Sequence, residues 1–433
     1  MQREFDIVIV GGGIVGLAAA IALCDEFRQR SLRLPSIALI DAAKPPSFSE
    51  NSQAGDAIAR DVVASRLSVS DYDSRVYAIT QQNCQRFEHW SLWPDIARQG
   101  TGDFTAMSVW DGEGTASIDF GGADQAAEKL GAVLERSVLL SVLYKHLKSL
   151  AAVDLYYGVK LQNIFLAPVD SLANRRPLPK TQMQLDNGEN ISADLIIGAD
   201  GANSRVRDAA SFKLRQWDYE QDAIVCTVQT ERHHQHTAWQ CFTRFGPLAL
   251  LPLGETSSPG GRYCSVVWSQ QRDVSAATMQ LSDDEFMRAM GQAFEYRLGG
   301  IESVSQRYSF ALRQQHVTRY VDRNVILIGD AAHSLHPLAG QGINLGINDA
   351  ARLAIAIAES GLNRQSVYNS ASLRRFERER MTENLAMMSA VEGFKRMFLP
   401  GSSTVKLLRN RGMEAVDKQR WLKQWIARYA MGV

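Results

Sequence analysis

The chain has 433 residues, 45% hydrophobic and 22% charged, which is enough for two domains with substantial cores and fits a globular protein. Lys plus Arg and Asp plus Glu number 47 each, so the global charge argues neither for nor against nucleic acid and any basic function must be local; no nucleic-acid partner is expected. The five cysteines (Cys24, Cys84, Cys226, Cys241 and Cys264) are odd in number, scattered and without a C-x-x-C pair, which excludes a disulfide framework and a cysteine zinc site and fits a reducing cytoplasm.

The first predicted element is a buried strand, Phe5–Val10. It lacks the basic leader and cleavage site of a signal peptide, and no later run of about 18 apolar residues is free of charge. Gly11, Gly13 and Gly16 follow as G-x-G-x-x-G, then a helix from Ile14 to Glu26 and a second strand, Ser36–Ile40, ending at Asp41. This is a complete βαβ dinucleotide unit. Gly11 allows the tight turn, Gly13 lets the backbone approach a pyrophosphate, and Gly16 allows helix to pack on strand. The helix N-terminus supplies N–H groups and partial positive charge to the phosphates. Asp41 is placed to accept from ribose hydroxyls. The polar Arg28–Leu34 explains the long interval from Gly16 to Asp41. The pattern alone does not separate FAD from NAD; its place at the start of the chain favours FAD.

Residues 42–66 read as a long polar loop. A second glycine-marked segment spans Ala193–Arg207: strand Leu195–Ile197, then Gly198, Asp200–Gly201, Ser204 and Arg207. Next come strand candidates at Ala223–Gln229, Ala238–Phe245, Leu248–Leu253 and Tyr263–Trp268, divided by turn residues. They predict a mostly antiparallel sheet inserted into the first domain. A third segment, Asn324–Asp349, has a strand at Val325–Ile328 that delivers Gly329–Asp330, then Pro337, Gly340-Gln341-Gly342, Ile343 and Asn344 opening a helix. Residues 350–433 read as mainly helical.

These three segments, in this order and spacing, resemble the aromatic-hydroxylase family of flavoprotein monooxygenases. The resemblance implies that the second segment contacts FAD and NAD(P)H through Asp200 and Gly201. It implies that Asp330 holds the flavin ribityl chain. The helix near Gly342 would then direct N–H groups at flavin N1 and O2, stabilising negative charge on reduced flavin. The string His336–Ala350 (HPLAGQGINLGINDA), Asp73–Ser74–Arg75 with Ala78, and the C-terminal half narrow the resemblance to the ubiquinone-biosynthesis hydroxylases. Val109–Trp110–Asp111, Trp217–Asp218–Tyr219 and Val267–Trp268–Ser269 point within it to the 2-polyprenylphenol hydroxylase branch. By the same resemblance Arg75 contacts the flavin nucleotide; a surface ion pair with Asp71 or Asp73 is the alternative. Glu135–Arg136 stands where the subfamily has Glu-Asn, so Arg136 is a cofactor contact of altered character. Segments 42–66 and 168–180 are longer than the family pattern.

The implied fold is α/β: a Rossmann-like FAD-binding domain (1–80, 100–215 and 310–365), an inserted β-sheet substrate domain (81–99 and 216–309) and a helical C-terminal region (366–433). The implied chemistry is ring hydroxylation of a polyprenylated phenol: NAD(P)H reduces FAD, O2 adds, and a C4a-hydroperoxide delivers one oxygen atom. The protein positions the ring, excludes water and stabilises charge. A base or hydrogen-bond acceptor for the phenol is expected, and no residue in the sequence stands out as that group. Two other functions remain open: hydroxylation of a small soluble aromatic compound, and a non-catalytic flavin-bound accessory role in a biosynthetic complex. No W-x-W-x-I-P-like segment supports a halogenase, and the second segment argues against an amine oxidase.

His233, His234 and His236 read as a solvated loop better than as a metal site, since no carboxylate or Cys stands at helical ligand spacing, and no metal is expected. His333 and His336 lie in the third segment beside the glycine loop, where packing or backbone hydrogen bonding outweighs a proton relay. Cys24 falls on the apolar face of the first helix. From Lys395 to Arg428, basic residues alternate with Phe394, Met397, Phe398, Leu399, Trp421, Trp425 and Ile426. An amphipathic cap with a solvated basic face and a surface that docks on a membrane or a ubiquinone-biosynthesis complex fit this equally. The expected location is cytoplasmic, peripheral at the inner face of the membrane.

Overall fold

A computed structural model describes residues 3–46, 68–114, 117–121, 129–166, 180–254, 260–335, 341–361 and 370–397, with side chains to residue 393. The first sheet is built on β1 (Arg3–Val10), whose Ile7, Val8 and Ile9 are fully buried. A strand buried on both faces reads as a continuous apolar run, and such strands pair in parallel. β1 lies between β2 (Ile37–Asp41) and β11 (Asn190–Gly198), with β8 (Val153–Tyr157) outside β2 and β19 (Val325–Leu327) outside β11, all four pairings parallel. β9 (Leu161–Phe165), β10 (Thr181–Leu185) and β18 (Val321–Asp322) add antiparallel edges. β3 (Val76–Thr80), β4 (Gly102–Phe104) and β7 (Gly131–Glu135) form a small antiparallel sheet beside it.

The third sheet has nine strands: β5 (Ala106–Asp111), β6 (Ser117–Gly121), β12 (Leu214–Thr230), β13 (Thr237–Thr243), β14 (Gly246–Pro252), β15 (Tyr263–Gln271), β16 (Ile301–Val304), β17 (Tyr308–Val317) and β20 (His333–Ser334). All its pairings are antiparallel except β13 with β5. The helices are α1 (Ile14–Gln29), α2 (Gln81–His89), α3 (Trp93–Arg98), α4 (Arg136–Lys148), α5 (Arg205–Ala209), α6 (Arg272–Met279), α7 (Asp283–Ala293), α8 (Gln341–Ser360) and α9 (Ala371–Met397). A capping box between Ser282 and Glu285 starts α7.

Period-two alternation gives the nine-stranded sheet two unlike faces. Ile224, Cys226, Val228, Leu248, Leu250, Cys264, Val266 and Trp268 pack on Phe286, Met290 and Phe294 beside them. Their neighbours Ala223, Val225, Ala249, Leu251, Ser265 and Val267 face the opposite way, into a cavity.

The sheets divide the chain differently from the expected boundaries in three places. Residues 81–99, expected with the substrate domain, carry Cys84, Phe87, Trp90, Leu92 and Ile96 into the same core as Leu17 and Ile21 of α1 and Leu143 of α4. Ala106–Asp111, Ser117–Gly121 and residues 310–317 of β17, all expected with the FAD domain, are strands of the nine-stranded sheet. Strand pairing and shared core decide membership in each case, and neither is visible in local periodicity. Cys24 is fully buried in the core around α1. Among the described residues no helix is long and apolar enough to cross a membrane.

Candidate functional site

Three glycine turns meet at the carboxyl edge of the parallel sheet. Val10 is in register with Gly198, and Gly198 with Leu327, so the chain leaves β1, β11 and β19 side by side. β1 is also where the sheet order changes direction, the usual place for a ligand crevice. Gly11 has φ +113°, and a Cβ there would stand 2.3 Å from the Ala199 carbonyl oxygen, so the first two turns touch through backbone. A Cβ on Gly16 would stand 1.8 Å from the Gly11 oxygen, which confirms close helix-on-strand packing. α8 approaches α1 equally closely: a Cβ on Gly346 would meet Val15 Cγ2 at 2.6 Å.

Asp41, at the end of β2, orients the first turn. It accepts the Gly12 N–H on one carboxylate oxygen and the Ala43 N–H at 2.6 Å on the other. The Tyr157 hydroxyl donates to the Gly12 carbonyl at 3.5 Å, from the position in β8 opposite Asp41. Sequence reading missed Tyr157, because parallel pairing across more than a hundred residues leaves no local signal.

The turns open into a cavity of about 850 Å³ that continues onto the inner face of the nine-stranded sheet. Gly13, Gly201, Gly342, Ile343, Arg75, Arg136 and Asp330 line it, so residues from five widely separated segments converge. Gly13, Gly201 and Gly342 each face open space: a Cβ there would meet no atom within 4 Å. Asp330 is exposed to the open space of the cavity. Desolvation pushes its carboxyl above the ordinary range, with His333 drawing it down and Asp349 pushing it up. No described residue hydrogen-bonds to it.

The Arg75 guanidinium lies over the Phe310 ring, 4.6 Å from its centroid, while the backbone N–H of Arg75 donates to Asp73 Oδ1 at 3.0 Å. Arg136 begins α4, and its N–H donates to the Arg75 carbonyl at 2.9 Å, which sets the two cations together at the cavity wall. Between them lies Tyr77, also missed from sequence. Burial raises the pKa of its phenol, opposed by Arg136 and Arg75.

Two expected contact residues have their side chains committed to protein. The Asp200 carboxylate takes the Ser204 hydroxyl at 2.5 Å and the N–H groups of Arg205 and Val206 at 2.7 and 3.2 Å. Burial pushes its carboxyl up and those donors pull it down. Asp200 thus caps α5 and holds the turn that presents Gly201, which has φ +80°. Asn344 accepts the Thr80 N–H at 3.0 Å and an Asn83 amide N–H at 2.9 Å, and donates to Ala78 O at 2.8 Å. It locks α8 to the end of β3. Gly329 has φ +57° in the turn itself. Pro337, Gly340 and His336 lie outside the described residues, as do most of the segments 42–66 and 168–180 and residues 398–433.

The first histidine cluster is a loop: His234 is buried, and its Nδ1 accepts the His236 N–H at 3.1 Å. Among the described residues, no three His, Cys, Asp or Glu side chains are grouped to hold a metal.

A βαβ glycine turn, a carboxylate at the second strand, and an apolar sheet face sharing one cavity define a flavin-dependent monooxygenase, and residues 58–384 match the FAD binding domain family. The chain belongs to that family and, within it, to the ubiquinone-biosynthesis hydroxylases. It is 32% identical to the ubiquinone hydroxylase UbiL of Rhodospirillum rubrum over all of this chain and 90% of the relative. It is 28% identical to the 3-demethoxyubiquinol 3-hydroxylase of Escherichia coli over the full length of both. The fold is shared with p-nitrophenol 4-monooxygenase PnpA of Pseudomonas putida, at TM-score 0.72, 19% identity and coverage of 99% of this chain and 97% of that one. The open faces of Gly13, Gly201 and Gly342 and the unpartnered Asp330 carboxylate fit FAD, which needs close backbone approach and a hydroxyl acceptor.

Proposed function

We propose that the protein hydroxylates the aromatic ring of a polyprenylated phenol intermediate in ubiquinone biosynthesis, with O2 and NAD(P)H as co-substrates. The observation that carries this reading is the single cavity joining the three glycine turns to the apolar face of Met107, Phe120, Val225, Leu251, Val267 and Leu312. An aromatic ring with an isoprenoid tail needs such a face to exclude water. The names of the relatives support the same pathway.

FAD, when bound and reduced, supplies activation of O2 for transfer of one oxygen atom. In this reading Asp41 would accept from ribose hydroxyls. Gly11, Gly13, Gly16 and the N-terminus of α1 would cradle the pyrophosphate. Asp330 would accept from the ribityl chain, with Gly329 shaping its turn. Gly342, Ile343 and the start of α8 would face the flavin ring, with Asn344 anchoring that helix and Pro337 and Gly340 belonging to the same segment. Arg75 and Arg136 would supply positive charge at the wall, and Asp200 would hold Gly201 in place.

The substrate class also favours a membrane-peripheral location. The basic and aromatic residues between Phe394 and Arg428 suit an anionic surface. Sedimentation with anionic vesicles, but not neutral ones, is the expected result. Lipid mass spectrometry on a strain lacking the gene tests the function itself. Accumulation of a polyprenylphenol short of one hydroxyl, with ubiquinone lost, is expected, and its structure gives the ring position. Normal ubiquinone in that strain would move the assignment to a small soluble aromatic substrate.

A further inference from the structure

We propose that the Gln315 carboxamide and the Ser334 hydroxyl together bind the ring oxygen of the substrate, so that the phenol is activated by a neutral hydrogen-bonding pair and not by an ionised base. This rests on the reading of the protein as a hydroxylase of a prenylated phenol.

Gln315 and Ser334 are direct partners in the antiparallel pair of β17 and β20, and the next pair is His316 with His333. Alternation sends the two pairs to opposite faces. His316 and His333 turn inward: His316 Nε2 meets the Tyr320 hydroxyl at 3.1 Å, and His333 Nε2 meets Asp349 at 2.6 Å. Gln315 and Ser334 go the other way and line the cavity with Leu335 and Ile343. Gln315 is only 5% exposed. Among the described residues neither Gln315 Oε1 nor Ser334 Oγ has a hydrogen-bond partner, although both atoms are shut off from bulk water. Two unpaired polar atoms side by side on an otherwise apolar wall are unfavourable unless a bound group completes them.

The chemistry of the remaining wall narrows what that group is. Among the described lining residues Asp330 is the only carboxylate, and there is no His or Lys. Asp330 sits in the glycine turn that suits the cofactor, so no free base faces the ring. A phenol matches the pair on both counts. Its O–H donates to the carboxamide oxygen, and its oxygen accepts from the serine hydroxyl. Polarising that O–H pushes electron density into the ring positions that take up oxygen; the O–H bond itself stays intact. The pair therefore orients the ring as well as activating it.

The test uses the FAD-loaded full chain with 2-prenylphenol and its methyl ether, measuring hydroxylated product per NAD(P)H consumed and affinity from the flavin absorbance change. Q315L and S334A are expected to keep their FAD and flavin spectrum and to melt no lower than the wild type, since each removes an unpaired polar atom. Product from the phenol should fall about tenfold or more in each; in Q315L the methyl ether, which has no O–H to give the carboxamide, is unaffected and the preference for the phenol collapses, whereas S334A lowers product from the ether as well, because its oxygen still accepts from that hydroxyl. A Q315L variant that still prefers the phenol as the wild type does, or an S334A variant that turns over both compounds as the wild type does, would overturn the assignment. So would loss of FAD or an altered flavin spectrum, which would set the pair against the cofactor. If the wild type forms no product from prenylated phenols, the hydroxylase reading fails instead. Equal affinity of that enzyme for phenol and ether would then sink the pair as well.

Discussion

The carboxylate of Asp349 lies 2.6 Å from Nε2 of His333, with both side chains shut off from solvent. Its same oxygen accepts the Gly329 N–H at 3.0 Å, and its other oxygen takes Arg380 Nε at 2.7 Å. A residue of α8 thus holds the third glycine turn from behind, and α9 supplies the counter-charge. Burial alone would raise this carboxyl, but His333 and Arg380 outweigh it and hold it well below the ordinary carboxylate range. A depressed folded pKa gives stability that is complete above the unfolded value and lost only as pH falls through the folded one. Asp349→Asn should therefore cost about 3–5 kcal/mol in urea denaturation at any pH from 5 to 8, because it leaves Arg380 buried without its main partner. A loss below about 1 kcal/mol would mean that the pair contributes nothing net.

Gly13 and Gly16 separate binding from folding. A Cβ on Gly13 meets nothing within 4 Å, and its φ of −74° suits any residue. Gly13→Val should leave the melting temperature of the FAD-free protein unchanged while FAD content falls at least about tenfold, since the side chain fills the space a pyrophosphate needs. Gly16→Ala puts a methyl into the Gly11 carbonyl and should lower the melting temperature with or without FAD. Full FAD content in Gly13→Val would remove the pyrophosphate from this turn.

The three glycine turns were legible because each obeys a local rule: an apolar run, then glycines at the strand end. That rule singles out Gly11, Gly13, Gly201, Asp330 and Gly342 in the sequence, though only Gly11 and Gly201 of these glycines have the positive φ that favours glycine. The antiparallel sheet was legible from alternation at 223–268, but the strands at 106–121 were not, since β5 joins it through a parallel pairing with β13 that no hairpin announces. Asp200 and Asn344 looked like ligand contacts by position, and only three-dimensional partners reveal them as supports of the turns. Tyr77, Tyr157 and the Gln315–Ser334 pair left no signal, because a polar residue in a strand looks the same whether it meets solvent or a cavity.

Asp330 is expected to matter little to the fold and to be essential for holding FAD. Its carboxylate is desolvated and has no described hydrogen-bond partner. Asp330→Ala should leave the FAD-free protein as stable as the wild type, because the carboxylate faces the open cavity and holds no part of the fold by a hydrogen bond. The same variant should purify without FAD, read from the ratio of flavin to protein absorbance. A variant with full FAD content would sink the ribityl assignment.

Acid should weaken the fold through two buried histidines well before the carboxylates titrate. Burial, with a contribution from His333 and Arg215, lowers the pKa of His316 from 6.5 to about 4. Burial, reinforced by His233 and His236, lowers that of His234 to about 3. Both side chains are at most 4% exposed, so solvent does little to relieve the penalty. Below pH 6.5 the unfolded chain binds a proton at each site that the folded chain refuses, so stability falls as pH drops toward those folded values. The upper limit is about 1.4 kcal/mol per pH unit for each histidine. Denaturation midpoints at pH 7, 6 and 5 should decline in the wild type. The double variant His234→Asn with His316→Asn, which cannot take up these protons, should show a slope smaller by up to that amount per site. An unchanged slope in the double variant would assign the acid sensitivity to other groups and remove these histidines from the account.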